Sequence, residues 1–536
     1  MLLLSAALLA ATLSCNEVTP PGPEPGPDDP TPVVLPKAMV VSASIDGRKL
    51  PVSGTMGDVS FTPVFELSFT REVKADEASL SSVDFSGGAL TASVSDKDAS
   101  VLLLKPVQTL QSYTKYSFSI AEGECFGVNL KSSFSFTFTT AYDNGLKFEL
   151  IPDEDLLTLV QKQTFRYFWD YGHPVSGLAR ERFGSGDTVT SGGSGFGIMT
   201  LPVAVERGFV TREQAAERLR TIVNFLKNKA ERFHGAYSHW LNGSTGKAQP
   251  FSQKDNGADL VETAFLIQGL LTVAEYFDSP GEADIRSGID AIWRAVEWDW
   301  FTRDGQDVLY WHWSPDYNWD MNMPIRGWNE ALIVYVLAAS SPTHSVPASV
   351  YHKGWTQNGS MKNDYRGPLF FTHYSFLGLD PRGLKDKYAD YWAMNVAHAR
   401  YNYNYCVSNP GGHAGYGPAC WGLTASDIPD GYSASAPSND LGVIAPTAAL
   451  ASMPYTPDES IAAMREFYYV YGDRLWGDYG FKDAFCLDRN WFATSYLAID
   501  QGPIVIMIEN YRSALLWNLF MKNKDLASGL KKLGFE

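Results

Sequence analysis

The sequence predicts a multidomain fold, in which an all-β sandwich is followed by a larger all-α toroid. Three observations support this prediction. The chain has 536 residues, which is too many for one small hydrophobic core. Between residues 37 and 142, apolar and polar residues alternate in short runs, a pattern typical of antiparallel strands. From Leu146 onward, apolar residues recur with the period of an α-helix instead.

The overall composition narrows the possible partners. The formal net charge is −17 and the pI is near 5.0, which argues against binding to nucleic acids and to strongly acidic substrates. Aromatic residues make up 13% of the chain, including 15 Trp. Aromatic residues beyond those needed in cores suggest flat platforms for sugar rings, whose C–H faces are apolar. We therefore expect a neutral, sugar-like ligand and no nucleic-acid partner.

The N-terminus has the features of an exported lipoprotein. Residues 1–14 are a short apolar segment that indicates an export signal peptide rather than a transmembrane helix. Leu13-Ser14-Cys15 resembles a bacterial lipobox, which implies that Cys15 carries a lipid at the mature N-terminus. Residues 15–36 include a Pro-rich tether, which would hold the next domain away from the lipid surface. The alternative is an ordinary signal peptide followed by a chance cysteine.

These N-terminal features predict a location in the cell envelope. We expect a lipoprotein in the periplasm or on the outer-membrane surface of a Gram-negative bacterium. Its contact with the membrane would be made through the N-terminal lipid only, since no other apolar span in the sequence is suited to crossing a bilayer. The protein is expected to be a monomer.

Residues 37–142 are predicted to form the β-sandwich. Apolar residues alternate with polar ones in three runs, at 61–69, 116–120 and 134–138. The segments 67–73 and 134–140 resemble the bacterial Ig-like modules of exported proteins, which implies an Ig-like sandwich. Because its charged residues form no recognisable constellation, this domain is interpreted as a spacer or a weak glycan-binding module.

Residues 146–536 are predicted to form the all-α domain. Some segments are amphipathic, and the one that starts after Thr211 has a capping box with Gln214. Others, at 443–451 and 504–508, are apolar nearly all round. This alternation predicts a two-layer α/α toroid with the buried helices inside. The helix candidates are 153–171, 212–228, 258–277, 282–298, 329–340, 386–400, 458–471 and 503–523.

A cluster of acidic residues marks the candidate substrate cleft. Asp255, Asp259 and Glu262 follow one another at i, i+4 and i+7 before an apolar run, which would place them on one face of a helix. Buried carboxylates are costly without a cation, a proton or a ligand beside them. We therefore expect this face to line a substrate-binding cleft. For Asp255 alone, capping of the helix N-terminus is an alternative.

Seven stretches rich in Gly, aromatic and acidic residues carry a family resemblance: 165–170, 191–197, 254–263, 328–330, 420–427, 444–449 and 498–503. In this order they resemble the glucoamylase-like family of (α/α)6-barrel glycoside hydrolases that includes β-1,2-glucanases (glycoside hydrolase family 144). The resemblance covers roughly residues 146–536. It implies a six-hairpin barrel that hydrolyses β-1,2-glucan or its oligosaccharides, releasing sophorose, with inversion at the anomeric carbon.

Hydrolysis with inversion needs a carboxylic acid that protonates the leaving oxygen and a carboxylate that activates water. Glu330 is the first candidate for the acid, because it follows Trp328 and Asn329 at a loop-to-helix junction, where an aromatic neighbour would raise its pKa. Its alternative role is that of a first-turn glutamate favoured by the helix dipole.

The second carboxylate is left open by the sequence. Asp255, Asp259 and Glu262 are all candidates for it and for substrate contacts, and Asp500 competes as the base. The alternative for Asp500 is capping of the helix that starts near Pro503. The matched motifs also contain the candidate substrate-binding residues, which are Arg166, Phe196, Trp328, Asn329, Trp421 and Asp427.

Other motifs have structural interpretations. The Gly192–Gly195 stretch is expected to approach a sugar closely or to form a tight turn, and Glu509 is expected to pair with Arg512. No HExxH and no paired-Cys motif is present, so we expect no catalytic metal and no cofactor. The disulfide state of four later cysteines stays open: Cys125, Cys406, Cys420 and Cys486.

Two other functions compete with the hydrolase. The first is a non-catalytic glycan-binding surface lipoprotein, and the second is a polysaccharide lyase on an α/α barrel. A binding protein needs aromatic stacking but no aligned set of carboxylates. Lyases on such barrels favour Tyr, His or Arg beside an acidic sugar, which suits this acidic chain poorly. The acidic set therefore favours the hydrolase.

Overall fold

The structure, a computed structural model, describes residues 34–51, 54–356 and 364–536. The predicted signal peptide at 1–14, Cys15 and most of the tether lie outside the described residues. The chain divides into two compact units, the first ending at Tyr142 and the second running from Asp143 to Glu536. In the described part of the chain, no helix combines the length and the apolar composition that crossing a bilayer requires.

The first unit is built from short β-strands. They are β1 Lys37–Ala38, β2 Val40–Ile45, β3 Arg48–Lys49, β4 Thr55–Val59, β5 Phe65–Phe69, β6 Val83–Phe85, β7 Leu90–Ser95, β8 Asp98–Pro106, β9 Lys115–Ile120, β10 Gly123–Cys125, β11 Val128–Leu130 and β12 Phe134–Thr140. A five-stranded sheet has the order β3-β2-β5-β8-β7, a four-stranded sheet β4-β12-β9-β6 and a three-stranded sheet β1-β11-β10. A short 3₁₀ helix covers Ala78–Ser82.

The core of the first unit follows the predicted alternation. On β5, every second side chain is buried, so that Phe65, Leu67 and Phe69 point into one core. Phe118 of β9 and Phe136 of β12 pack there as well, with ring centroids 4.7 Å apart. The prediction that this part of the chain is β-rich is confirmed, although β5 starts only at Phe65 rather than at residue 61.

The second unit is mainly helical. Its helices are α1 Asp153–Trp169, α2 Ser191–Glu206, α3 Arg212–Asn228, α4 Leu260–Tyr276, α5 Ala283–Ala295, α6 Leu332–Ser340, α7 Ala348–Val350, α8 Phe370–His373, α9 Tyr391–Ser408, α10 Pro446–Leu450, α11 Pro457–Tyr469, α12 Gly472–Leu475, α13 Ala498–Ser513, α14 Leu515–Phe520 and α15 Lys524–Leu533. Single turns of other helix types lie at Pro280–Glu282, Trp300–Thr302, Tyr351–Trp355, Tyr374–Phe376 and Leu487–Arg489.

Short strand pairs connect these helices. They are formed by β13 Thr188–Thr190, β14 Trp240–Asn242, β15 Ala248–Gln249, β16 Ala258–Asp259, β17 His312–Trp313, β18 Ala425–Ile428, β19 Gly431–Ala434, β20 Trp476–Gly477, β21 Gly480–Phe481, β22 Phe485–Cys486 and β23 Trp491–Phe492. The pairing of β16 with β17 joins segments that are distant in sequence.

Buried and amphipathic helices pack together in the second unit. The helices α2, α4, α6, α10 and α13 are buried on nearly all sides. Helix α2 lies between α4 and α13, and α6 packs on α4. Amphipathic helices cover them, with α1 on α13 and α3 beside α5. The Thr211 capping box of α3 is formed as predicted.

Three local predictions are wrong. The Gly192–Gly195 stretch does not form a tight turn but lies at the start of helix α2. Its glycines allow close packing, because a Cβ on Gly269 of α4 would lie 2.2 Å from the Gly195 carbonyl oxygen. The predicted helix at 503–523 is two helices, which separate where Ala514 adopts a φ of 59°. Glu509 pairs with Arg207 at 2.8 Å, not with Arg512.

Candidate active site

A cavity of about 530 Å³ opens in the second unit. Its volume lies in the range of small-molecule binding sites. Carboxylates and aromatic rings share its lining, as expected for a site that binds sugar hydroxyls and ring faces. The acidic residues of the lining are Glu181, Asp255, Asp259, Glu262 and Glu330, and the aromatic ones include Trp240, Phe251, Trp311, Tyr374 and Tyr432.

The β16–β17 pair positions the centre of this site. Asp259 of β16 lies opposite His312 of β17. Asp259 is also the N-cap of α4, where its Oδ1 accepts hydrogen bonds from the amides of Val261 and Glu262 at 3.0 and 2.9 Å. This arrangement corrects the prediction of one helical face, because Asp255 lies in a turn before β16 and Asp259 has an extended backbone. The cap of α4 is therefore Asp259 rather than Asp255.

Two histidines hold the Asp255–Asp259 pair. His239 Nδ1 lies 3.2 Å from Asp259 Oδ2, and His312 Nε2 lies 3.3 Å from Asp255 Oδ2. Burial opposes the charge on both rings, but the surrounding carboxylates outweigh it and raise the pKa of His239 to about 9 and that of His312 to about 10. In turn, the histidines lower the pKa of the buried Asp259 well below its ordinary value. Near neutral pH, Asp259 is ionised.

Glu262 is fixed by the first turn of α2. The Gly192 amide donates a hydrogen bond to Glu262 Oε2 at 2.8 Å. A Cβ on Gly192 would lie 2.5 Å from the same oxygen, so this approach requires glycine. Burial and the negative charge of Asp259 raise the pKa of Glu262, although His239 opposes the rise. The glycine-rich stretch therefore contacts a carboxylate of the site rather than serving as a loop.

Glu330 enters the cavity just before α6. Burial raises its pKa to about 7, and the negative charges of Glu262 and Asp259 add to the rise. Its carbonyl oxygen accepts a hydrogen bond from the Ser375 hydroxyl, which ties this junction to the neighbouring segment. Asn329 Oδ1 accepts a hydrogen bond from the Ala331 amide at 2.9 Å. Glu330 is thus a carboxyl group that is partly protonated at neutral pH.

A second acidic cluster lies behind another part of the lining. Asp427 pairs with Arg182 of the cavity wall at 2.9 Å, and its amide donates to Asp483 Oδ2 at 2.6 Å. Burial, together with the charge of Asp427, raises the pKa of Asp483 to about 7. Burial and Asp483 raise the pKa of Asp500 well above its ordinary value. Burial raises the pKa of Tyr374, which lines the cavity, and the negative charges of Asp500, Glu330 and Glu262 add to the rise.

None of the six predicted substrate-binding residues lines the cavity. Trp421 is fully buried and donates its indole N–H to the Glu459 carbonyl oxygen, and Arg166 pairs with Asp170. Trp328 is buried, and Asn329 caps the junction before α6. Phe196 lies one layer behind the lining, packed on Phe265 and Tyr374. Asp427 does not line the cavity itself but forms an ion pair with Arg182, which does.

The two histidines, Arg182 and Asp483 were not predicted from the sequence. A signal for the histidines exists, because the chain has only 9 His and two of them are flanked by tryptophans, in His239-Trp240 and Trp311-His312-Trp313. No local pattern distinguishes Asp483, whose role depends on its distant neighbours Asp427 and Asp500.

Comparisons with known proteins show which proteins this chain resembles. Residues 322–524 match the Glycoamylase family model. A curated protein of Parabacteroides distasonis, named exo-β-1,2-glucooligosaccharide sophorohydrolase (non-reducing end), is 46% identical over 418 residues, which are 71% of this chain and 58% of that protein. The chain therefore matches less than two thirds of the length of that relative.

Solved structures extend the comparison. The endo-β-1,2-glucanase from Chitinophaga pinensis, in complex with sophorotriose and glucose, is 53% identical, covers 72% of this chain and 99% of its own, and has a TM-score of 0.71. A β-1,2-glucanase from Parabacteroides distasonis is 36% identical, covers 94% of this chain and 73% of its own, and has a TM-score of 0.70. The second match therefore includes the β-rich unit as well as the helical one.

Proposed function

This chain belongs to the glucoamylase-like family that includes the β-1,2-glucanases, and we propose that it hydrolyses β-1,2-glucan or β-1,2-linked oligosaccharides, releasing sophorose. One observation carries the proposal. In a single cavity, Glu330 is partly protonated near pH 7 while Asp259 is ionised. Hydrolysis of a glycoside needs both protonated and ionised carboxyl groups beside the sugar, and this cavity offers both states.

We assign the general acid to Glu330 and the base to Glu262. The negative charge of Glu262 helps Glu330 to keep its proton. The raised pKa of Glu262 also makes it a stronger base than Asp259. Asp259, ionised at all working pH values, suits stabilisation of the positive charge that develops on the sugar ring. Asp255 contacts the substrate from the same wall, and Asp500, which lies behind the lining, is the second candidate for the base.

A panel of linear glucans tests this function. The purified protein is incubated with β-1,2-, β-1,3- and β-1,4-linked glucans, and the products are separated and identified. Sophorose is expected from the β-1,2-linked chains alone, and the anomer formed first should show inversion. Binding of β-1,2-glucan without any product would instead indicate a glycan-binding protein, and an unsaturated product would indicate a lyase.

The finer architecture and the cellular location are proposed on sequence grounds. The paired sheets and the motifs of the first unit support an Ig-like sandwich, and the order of the family motifs supports an (α/α)6 barrel of six helical hairpins. The lipobox-like Leu13-Ser14-Cys15 and the Pro-rich tether support a lipid anchor in the envelope of a Gram-negative bacterium. The β-rich unit would then act as a spacer between lipid and catalytic domain.

A further inference from the structure

The cavity wall contains a cluster of side chains with the donor types of a metal centre. One donor atom each from His239, Asp255 and Asp259 lies within 4.8 Å of the other two. His312 Nε2 adds a further nitrogen, 3.3 Å from Asp255 Oδ2 and 3.6 Å from Asp259 Oδ2. Among the described residues, no other group of three His, Cys, Asp or Glu donors converges in this way.

The spacing of these atoms fits a small tetrahedral ion. Metal–ligand bonds of about 2.0–2.2 Å in tetrahedral geometry place neighbouring ligand atoms about 3.4 Å apart. The closest donor separations here are 3.2 Å between His239 Nδ1 and Asp259 Oδ2 and 3.3 Å between His312 Nε2 and Asp255 Oδ2. An ion would therefore replace the hydrogen bonds between these groups, and its binding would release the protons that the two rings hold in those bonds, because only a neutral imidazole nitrogen coordinates a metal.

One carboxylate of the cluster has an oxygen that is free to coordinate a cation. Asp255 is 5% exposed and lines the cavity, and within the described residues its Oδ1 atom has no hydrogen-bond partner. A buried carboxylate oxygen without a partner is costly, and coordination of a cation removes that cost. The backbone around it is well defined, because β16 and β17 hold Asp259 and His312 in register.

We propose that His239, Asp255 and Asp259, with His312 beside them, bind a divalent transition-metal ion of the Zn²⁺ type, and that the bound ion competes with the sugar. Mixed imidazole and carboxylate donors favour Zn²⁺, Co²⁺ or Cu²⁺ over Mg²⁺, which prefers six oxygen ligands. The ion inhibits hydrolysis because it covers the part of the cavity wall that the sugar contacts and because it neutralises the negative charge of Asp259. This competition rests on the proposed function, whereas the binding itself does not.

Calorimetric titration of the purified full-length protein with ZnCl2 tests the binding. One site per chain is expected for Zn²⁺, with no heat from MgCl2 under the same conditions. His239→Ala and Asp255→Asn should each weaken the affinity for Zn²⁺ by about 10–100-fold or more. His344→Ala, which removes an exposed His–Asp pair outside the cavity, should bind as the wild type does. Circular dichroism of each variant verifies its fold.

Kinetics test the competition. ZnCl2 should raise the apparent KM for β-1,2-linked oligosaccharides and leave kcat unchanged. The proposal is overturned if the wild type binds no Zn²⁺, if both folded variants bind it as tightly as the wild type, or if inhibition lowers kcat alone. If the metal-free protein cleaves no glucan, the proposed function fails, while the titration still decides whether the metal site exists.

Discussion

Replacing Glu330 by Gln tests the assignment of the general acid most directly. The amide keeps the size of the carboxyl group and can still donate a hydrogen bond, but it cannot deliver a proton. The structure supplies the reason for the effect, since burial and the charges of Glu262 and Asp259 raise the pKa of Glu330 to about 7 and so keep part of it protonated at neutral pH. In the variant, departure of the sugar oxygen must proceed without that proton.

The expected loss follows from the usual size of general acid catalysis. Turnover on a β-1,2-linked oligosaccharide should fall by about 10²–10⁴-fold, which corresponds to about 3–5 kcal/mol in the activation barrier. A glycosyl fluoride needs little help in leaving, so its hydrolysis should fall by less than about 10-fold, far below the general-acid range. The wild type should also lose kcat/KM above pH 7, because Glu330 deprotonates through a pKa of about 7. That alkaline limb should disappear in the variant.

The assay compares initial rates on the oligosaccharide and on the fluoride for wild type and variant. Glu275→Gln is a matched control, because burial also raises the pKa of this glutamate although it lies outside the cavity. It should retain wild-type rates on both substrates. Equal losses of the Glu330 variant on both substrates, or hardly any loss, would refute the role of Glu330, and the acid would then be sought among Asp255, Asp259 and Glu262.

Four further predictions concern other parts of the chain. Asp259→Asn removes a negative charge that raises the pKa of Glu330, so the alkaline limb of kcat/KM should move to lower pH; a limb that stays or rises would contradict this coupling. Gly192→Ala brings a Cβ within 2.5 Å of Glu262 Oε2 and should lower turnover by about 10-fold or more, whereas Gly281→Ala, with open space around its Cβ, should not. A chain that begins at Leu146 should keep its turnover on short oligosaccharides, and a loss in the folded protein would show that the β-rich unit shapes the site. Cys15→Ala should move the protein from the membrane to the soluble fraction on cell fractionation; unchanged membrane association would argue against lipidation.

Local patterns predicted those elements whose stability is itself local. The alternation of apolar and polar residues was sufficient to predict strand β5. A strand with one buried face has only one register that buries Phe65, Leu67 and Phe69 together. The capping box at Thr211 likewise located the start of α3 within one residue. Helix α2 escaped prediction, since its sequence is rich in Gly and contains Pro202, both poor helix formers. Its helical state depends on packing between α4 and α13.

The convergence of four acidic residues was predicted, but neither their geometry nor the other residues around them was. Asp255, Asp259, Glu262 and Glu330 do line one cavity. Their placement on one helical face was wrong, because the pairing of Asp259 with His312 imposes an extended backbone before α4. That pairing joins distant segments and leaves no periodic signal in either of them. The histidines that lower the pKa of Asp259 adjoin tryptophans in the sequence, but that local signal does not show that they lie beside Asp259.

The close crossing of α2 and α4 has a consequence for protein engineering. Replacing helical glycines by alanine is a standard route to thermostable enzymes, because it reduces the conformational freedom of the unfolded chain. At Gly195 and Gly269, the new methyl group would collide with the backbone of the opposite helix. Relieving that collision would move α4, which carries Glu262 at its N-terminus, away from the Gly192 amide. Consensus or automated stabilisation schemes should therefore exclude these two positions and direct such exchanges to glycines with open surroundings.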